Sequence, residues 1–396
     1  VTYNKKQSII VGIIIFLSTI ILTVGAMFLH KKSYGDMLCI GVLCGFFSLF
    51  LTFSFYYELM HKVFEYDNAE HLYRFLIVYE ISLVLSLLYP FSERSGWMFV
   101  ALCVSLSLFS NSTVSVFAST GLIGLTTLLS GQPDVKTFIV HFLSAMIAIT
   151  LFRSIDEYFK VSFSIFMSVV TLFVLETAGF IFLENKELSF EQFIMPIVNV
   201  AINTIVLFWI LKYFNDTIAN RYRNKYLELN DQEYHALAKL KEVSKEEYLR
   251  SIHTAYLAER IALACGCNVD MAKNLAYYHR IKKSFDFDHD AMVNFVKENN
   301  FPPEAAETVV EFSDKTAPLI KKEACIVYLS DKLISSIMQI FATDNQKKVD
   351  YGELIDTLLD KHYIKNALGD SDMTQRDLRN VREIMKRETL YYDFLR

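Results

Sequence analysis

Apolar residues run almost unbroken through the first half of the chain. Near residue 215 they give way to one apolar position every three or four residues. The long apolar stretches are 8–29, 37–57, 73–91, 97–130, 137–153, 161–183 and 192–214. A helix crossing a bilayer needs about 20 apolar residues, so 97–130 is too long for one crossing. The polar cluster Ser110-Asn111-Ser112-Thr113 divides it into two short spans, which gives about eight in all. Lys5 and Lys6 precede the first stretch, no small-residue cleavage site follows it, and Lys31 and Lys32 lead straight into the next. It therefore reads as a retained span and not as a signal peptide. Basic residues near span ends set orientation. Lys5 and Lys6, Arg153 and Lys160, and Arg221, Arg223 and Lys225 all fall on one side, the cytoplasmic one. The acidic loop Glu184-Asn185-Lys186-Glu187 falls outside. Lys31 and Lys32 stand on the wrong side in this scheme.

Beyond the last span the period is helical throughout. Residues 215–250 predict a charged helix in which Ile218, Tyr222, Tyr226, Leu229, Leu237, Leu240 and Val243 recur at three- and four-residue steps. It reads either as a signalling helix that forms a homodimer through residues 215–246, or as a stalk packed on the domain below. Residues 245–283 predict two helices. Ala255, Leu257, Ala258, Ile261, Ala262 and Ala264 form the apolar side of the first, and Gly266 ends it. Asn268 caps the second, and His279 falls at its end. Further helices are predicted over 288–300, 303–313, 319–342, 350–366 and 373–391. Pro302 and Pro303 open one of them, and Thr374 with Asp377 caps the last. Strand-like alternation is absent. The expected fold is all-α: a polytopic transmembrane helix bundle (1–214), a charged linker helix (215–246) and a cytoplasmic helical domain (247–396).

Composition agrees with this division. Hydrophobic residues make up 53% of the 396, and the mean hydropathy is +0.28, too apolar for an ordinary soluble protein. The expected partner of the first half is membrane lipid. A net charge of −5 gives no reason to expect a nucleic-acid partner. The cysteines Cys39, Cys44, Cys103, Cys265, Cys267 and Cys325 form no CxxC pair and read as reduced thiols. Five polar groups fall at membrane depth: Glu80, His141, Glu176, Asn199 and Asn203. A charged side chain there costs about 2.5–3.5 kcal/mol on insertion scales, so each needs a partner or a cavity. They read as interhelical hydrogen bonds or as a ligand pocket or ion path, and no three share an obvious helical face.

The stretch His253-Thr254, followed after about two dozen residues by Tyr278-His279-Arg280-Ile281-Lys282-Lys283, resembles the HD superfamily of metal-dependent phosphohydrolases. Within it the chain is most similar to the bacterial seven-transmembrane HD proteins, which are cyclic-di-AMP phosphodiesterases where active. The resemblance extends to PLIKKEACIVYLSDKLISS and DMTQRDL, and to the membrane region by architecture alone. The family's large domain after the first span has no room here between His30 and Asp36. By resemblance, His253, His279 and Asp331 are the surviving metal-ligand positions. Arg280 stands where the HD aspartate should be, Lys282 where its glycine should be, and Phe312-Ser313-Asp314 where a later pair of histidines would fall. The family's middle histidine falls near Asp288 or His289. A guanidinium has no free lone pair and stays protonated, so it repels a divalent ion instead of binding it. No cofactor is therefore expected, and manganese or iron only if the enzyme is active. Arg280, Lys282 and Lys283 are candidates to bind phosphate directly. Three functions stay open: a non-catalytic receptor or regulator for a cyclic dinucleotide or other phosphorylated ligand, a phosphodiesterase with a reorganised metal site, and a membrane protein that uses the HD remnant as a scaffold.

Overall fold

A computed structural model describes residues 5–61, 64, 66–131, 134–153, 158–182, 189–285, 288–313, 319–344, 348–364 and 371–395. The described residues are all-α and fall into two compact units, residues 2–220 and 221–396. The acidic loop 184–187 and Asp314 lie outside the described residues.

The first unit contains α1 (Lys5–Leu29), α2 (Tyr34–Met60), α3 (Tyr73–Leu88), α4 (Phe99–Leu108), α5 (Ser112–Leu129), α6 (Val135–Leu151), α7 (Tyr158–Thr177) and α8 (Phe190–Phe214). Phe28, Leu38, Val42, Phe53, Phe208 and Trp209 point outward, each at least 61% exposed. The side chains turned inward include Ser48, Ser82, Ser86, Ser115, Ser119, Thr126 and Ser144. An apolar exterior over an interior of small hydroxyl residues suits a bundle surrounded by lipid. By length and composition seven helices of the described chain are able to cross a membrane. One of them, Lys322–Thr343, is a core helix of the second unit.

The 97–130 stretch breaks at its polar cluster. The Asn111 side chain accepts from the Val114 N–H at 2.9 Å and caps α5, while its Nδ2 donates to Glu58 Oε2 at 2.7 Å. α4 is short: ten residues span about 15 Å, half a hydrocarbon core. Every one of its residues is buried. Asn68 Nδ2 donates to the Leu108 carbonyl at 3.0 Å, and Phe214 packs on Phe109 and Tyr66. The ends of α2, α4 and α8 and the starts of α3 and α5 therefore share one face. His30 Nε2 donates to the Leu87 carbonyl at 2.9 Å and Lys32 Nζ to the Ser130 carbonyl at 2.7 Å, which places the ends of α1, α3 and α5 on the other. With this alternation the start of α1 and the end of α8 share a face. Lys32 thereby meets the partly negative C-terminal end of α5.

The second unit contains α9 (Asn220–Leu229), α10 (His235–Val243), α11 (Lys245–Cys265), α12 (Val269–Tyr278), α13 (His289–Glu298), α14 (Pro303–Ser313), α15 (Lys322–Thr343), α16 (Tyr351–Ile364), α17 (Gln375–Arg387) and α18 (Thr389–Tyr392). The expected punctuation is present. Gly266 ends α11 at φ 67, where a Cβ would be strained, and Asn268 accepts from the Met271 N–H. Thr374 and Asp377 form a capping box. Leu257, Ile261, Leu275, Ile326 and Leu329 are at most 1% exposed and lie in one core.

The linker helix differs from expectation. It is interrupted after Leu229, where Asn230 Nδ2 donates to the Asp270 carbonyl at 2.9 Å. Tyr226, Leu229, Leu237 and Leu240 are buried in the core of this same unit. Four of the seven apolar positions named for a homodimer are thus covered by the segment's own domain, as the stalk reading expects, while Val243 is 54% exposed. All six cysteines are free. Burial pushes the thiols of Cys265 and Cys267 up to about 11 and about 12, which keeps them protonated and unreactive.

Candidate functional site

Three helices of the second unit converge on one charged cluster. The N-cap of α11, Ser244, accepts from the Glu247 N–H at 3.3 Å, which sets Glu247 in the first turn of that helix. α12 ends at His279, so Arg280 leaves the helix beside it. α15 carries Asp331 and, one turn on, Ser335.

Arg280 joins these helices. Its Nε and Nη2 donate to Asp331 Oδ1 at 2.8 and 2.6 Å, Nη2 donates to Ser335 Oγ at 2.8 Å, and Nη1 donates to Glu247 Oε2. Lys283 Nζ donates to the other oxygen of Glu247. The side chains of Arg280, Asp331 and Glu247 are only 12%, 16% and 10% exposed. Arg250, which pairs with Glu246, also lies 3.8 Å from Glu247, so both carboxylates of the cluster are met by cations of the chain itself. Burial works to raise both carboxyl pKa values. The neighbouring His279 and the charge and hydrogen bonds of Arg280 outweigh it at Asp331, and those of Lys283 and Arg280 outweigh it at Glu247, so both are held below the ordinary carboxylate range.

His279 keeps the setting of a metal ligand. Its Nδ1–H donates to the Ala276 carbonyl at 2.8 Å, an acceptor that orients the ring and turns Nε2 toward Asp331 Oδ1, 3.1 Å away. That contact is not aligned as a hydrogen bond. The guanidinium of Arg280 is bound to the same oxygen. Phe312 stands edge-on to the His279 ring at 5.4 Å, a hydrocarbon wall at one of the positions where the resemblance places a histidine. His253 Nδ1 pairs with the Tyr391 hydroxyl at 2.7 Å, and burial lowers its pKa. Among the described residues no group of three or more His, Cys, Asp or Glu is placed to hold a metal ion.

The structure thus brings His279, Asp331 and Arg280 together and leaves His253 on a tyrosine. Arg280 and Lys283 were expected to offer their charge to phosphate with Lys282. Arg280 and Lys283 instead bind Glu247, and Arg280 binds Asp331 as well. Glu247 was missed by sequence reasoning. A buried arginine needs a carboxylate partner. Glu247, six residues before His253 on the same helix, was the signal available.

In the first unit the intramembrane groups do combine. Asn199 Nδ2 donates to Glu176 Oε1 at 2.5 Å, and Asn203 Nδ2 donates to Asn199 Oδ1 at 2.7 Å. Asn199 and Asn203 are four residues apart on α8, a spacing that shares a face. His141 Nε2 donates to the Arg94 carbonyl at 2.9 Å, and Glu80 accepts from Ser18 Oγ at 2.5 Å.

No family model matches the chain, and no curated protein matches it. Two solved structures of the HD domain of the L. monocytogenes phosphodiesterase PgpH are similar to it at 16% identity and a TM-score of 0.32. One covers 40% of this chain and 100% of its own; the other, in complex with cyclic-di-AMP, covers 39% and 96%. At that TM-score neither likeness bears on what this chain does.

Proposed function

We propose that the chain is a bacterial cell-membrane protein with a cytoplasmic HD-type domain that regulates or senses without hydrolysing. The observation that carries this is the position of Arg280. A hydrolytic HD centre uses metal to polarise a phosphoryl oxygen and to generate hydroxide. Here the carboxylate of Asp331 is bound by a guanidinium that neither ligates nor loses its proton. A divalent ion about 4 Å from that group would meet a repulsion of several kcal/mol even at an effective dielectric near 20. Phe312, unable to ligate, acts in the same direction.

The ligand we propose is a phosphorylated small molecule, with cyclic dinucleotides the first class to test on the strength of the motif resemblance. Lys283 is 41% exposed and is the cation such a ligand reaches first. Binding would draw Lys283, and then Arg280, away from Glu247. Calorimetric titration of the purified protein with cyclic-di-AMP at two salt concentrations tests this. Binding without turnover, weakened by salt and by Arg280→Ala, is expected. Manganese-dependent cleavage would overturn the non-hydrolytic reading. Absence of binding would leave the domain as a scaffold.

A further inference from the structure

Within the first unit a one-way chain of hydrogen bonds leads from the start of α4 to a buried carboxylate. The Ala101 N–H donates to Asn203 Oδ1 at 2.9 Å. A backbone N–H only donates, so the amide of Asn203 is oriented by it, and its Nδ2 faces Asn199 Oδ1 at 2.7 Å. Asn199 then directs its own Nδ2 at Glu176 Oε1, 2.5 Å away, and at the Trp97 carbonyl, 3.4 Å away. The side-chain amides thus relay their donors to Glu176, with the Asn199 and Trp97 carbonyls as additional acceptors. Its second oxygen, Oε2, is buried and has no partner among the described residues.

His141 presents a second orphan of the same kind. Its Nε2 must carry hydrogen to meet the Arg94 carbonyl, which leaves Nδ1 as the lone-pair atom, also buried and unpartnered. The two groups belong to one neighbourhood. Phe180, one turn beyond Glu176, has its ring 6.0 Å from that of His141. Trp97, whose carbonyl Asn199 contacts, stacks on His141 at 5.3 Å. At Gly179 a Cβ would lie 2.4 Å from Cγ2 of Val140, the residue before His141, so only glycine lets the two chains come this near.

Of the elements packed around Glu176, α6 presents His141 and α8 presents amides. The turn before α4 presents Arg94, which lies 3.6 Å from Asp134. No lysine or arginine pairs with Glu176 among the described residues. The site is therefore rich in acceptors and carries one carboxylate, which matches a single positive charge. We propose that Glu176 and His141 form a binding site for a monovalent cation, sodium or a proton, within the membrane bundle. Glu176 supplies the charge, His141 is a neutral partner, and Asn199 and Asn203 are positioning residues.

This inference is independent of the role of the second unit. Infrared difference spectra of the full chain in detergent test it, recorded against pH and against sodium replaced by choline. A carboxylic-acid carbonyl band that disappears on raising the pH, and that Glu176→Gln abolishes, is expected. Its disappearance on adding sodium at constant pH would identify sodium as the occupant, and response to pH alone would identify the proton. Should Glu176→Gln fail to fold, Asn199→Ser keeps the carboxyl, weakens its donor, and is expected to shift the midpoint of the same band. A wild-type spectrum indifferent to both pH and sodium, or a responding band that neither variant alters, would overturn the proposal.

Discussion

Replacing Asp331 with alanine tests the ion-pair cluster directly. The change leaves the guanidinium of Arg280, 12% exposed, with its Nε unpaired and Nη2 held by Ser335 alone. Removing one partner of a buried pair costs about 3–5 kcal/mol, chiefly because the remaining charge stays buried. A domain of ordinary stability has about 5–15 kcal/mol in all. For a unit of this size each kcal/mol shifts the melting temperature by about 2–4 °C, so the expected fall is roughly 6–20 °C. Arg280→Met in the same background removes the stranded charge, and Lys283 remains to pair with Glu247. The double variant should therefore recover most of the loss, with a coupling energy on the order of 2 kcal/mol or more. Urea unfolding of residues 221–396 followed by far-ultraviolet circular dichroism gives all four corners of the cycle. A loss under about 1 kcal/mol for Asp331→Ala, or strict additivity in the double variant, would refute the reasoning.

Truncating Leu275 or Ile326 to alanine should cost about 2–5 kcal/mol by the same denaturation assay, and His253→Ala distinctly less, because its main bond is to Tyr391. Acid should destabilise the second unit. Asp331 and Glu247 are held below the usual carboxylate range, so the stability they add is complete above about pH 4 and is lost as pH falls through their folded values. His253, lowered by burial, adds a loss that begins below about pH 6.5; a melting temperature that rises on acidification from pH 7 to 4 would contradict both signs. In a background freed of other cysteines, Gly131→Cys and Ser189→Cys should react with an impermeant thiol reagent on intact cells, and Ser371→Cys should not; labelling at position 371 would reverse the orientation.

The helices and their ends were legible wherever local chemistry sets them. Gly266, Asn268 and the Thr374–Asp377 box act through their own neighbours in sequence, and the structure uses them as the sequence predicts; Asn111, read only as part of a dividing polar cluster, caps α5 as well. The core positions of α11, α12 and α15 were legible for a similar reason, since their period of three to four residues marks one face. Long-range pairing was not. Glu247 and Arg280 are 33 residues apart, and Glu176 and Asn199 are 23 apart, so nothing local announces either bond. In the linker, Tyr226, Leu229, Leu237 and Leu240 have the spacing of a dimer seam and of a packed stalk alike. A periodic apolar face does not say whether it meets a second chain or its own domain.

The most direct test of the central claim, that Arg280 stands in for a metal ion, is the metal content of the full chain purified from cells grown with manganese and iron. The account predicts well under one ion per chain, and a melting temperature that chelator does not lower. A site loaded at a thousandfold above its Kd would instead lose about 4 kcal/mol on stripping. One or two manganese or iron ions per chain, lost on His279→Ala, would contradict it.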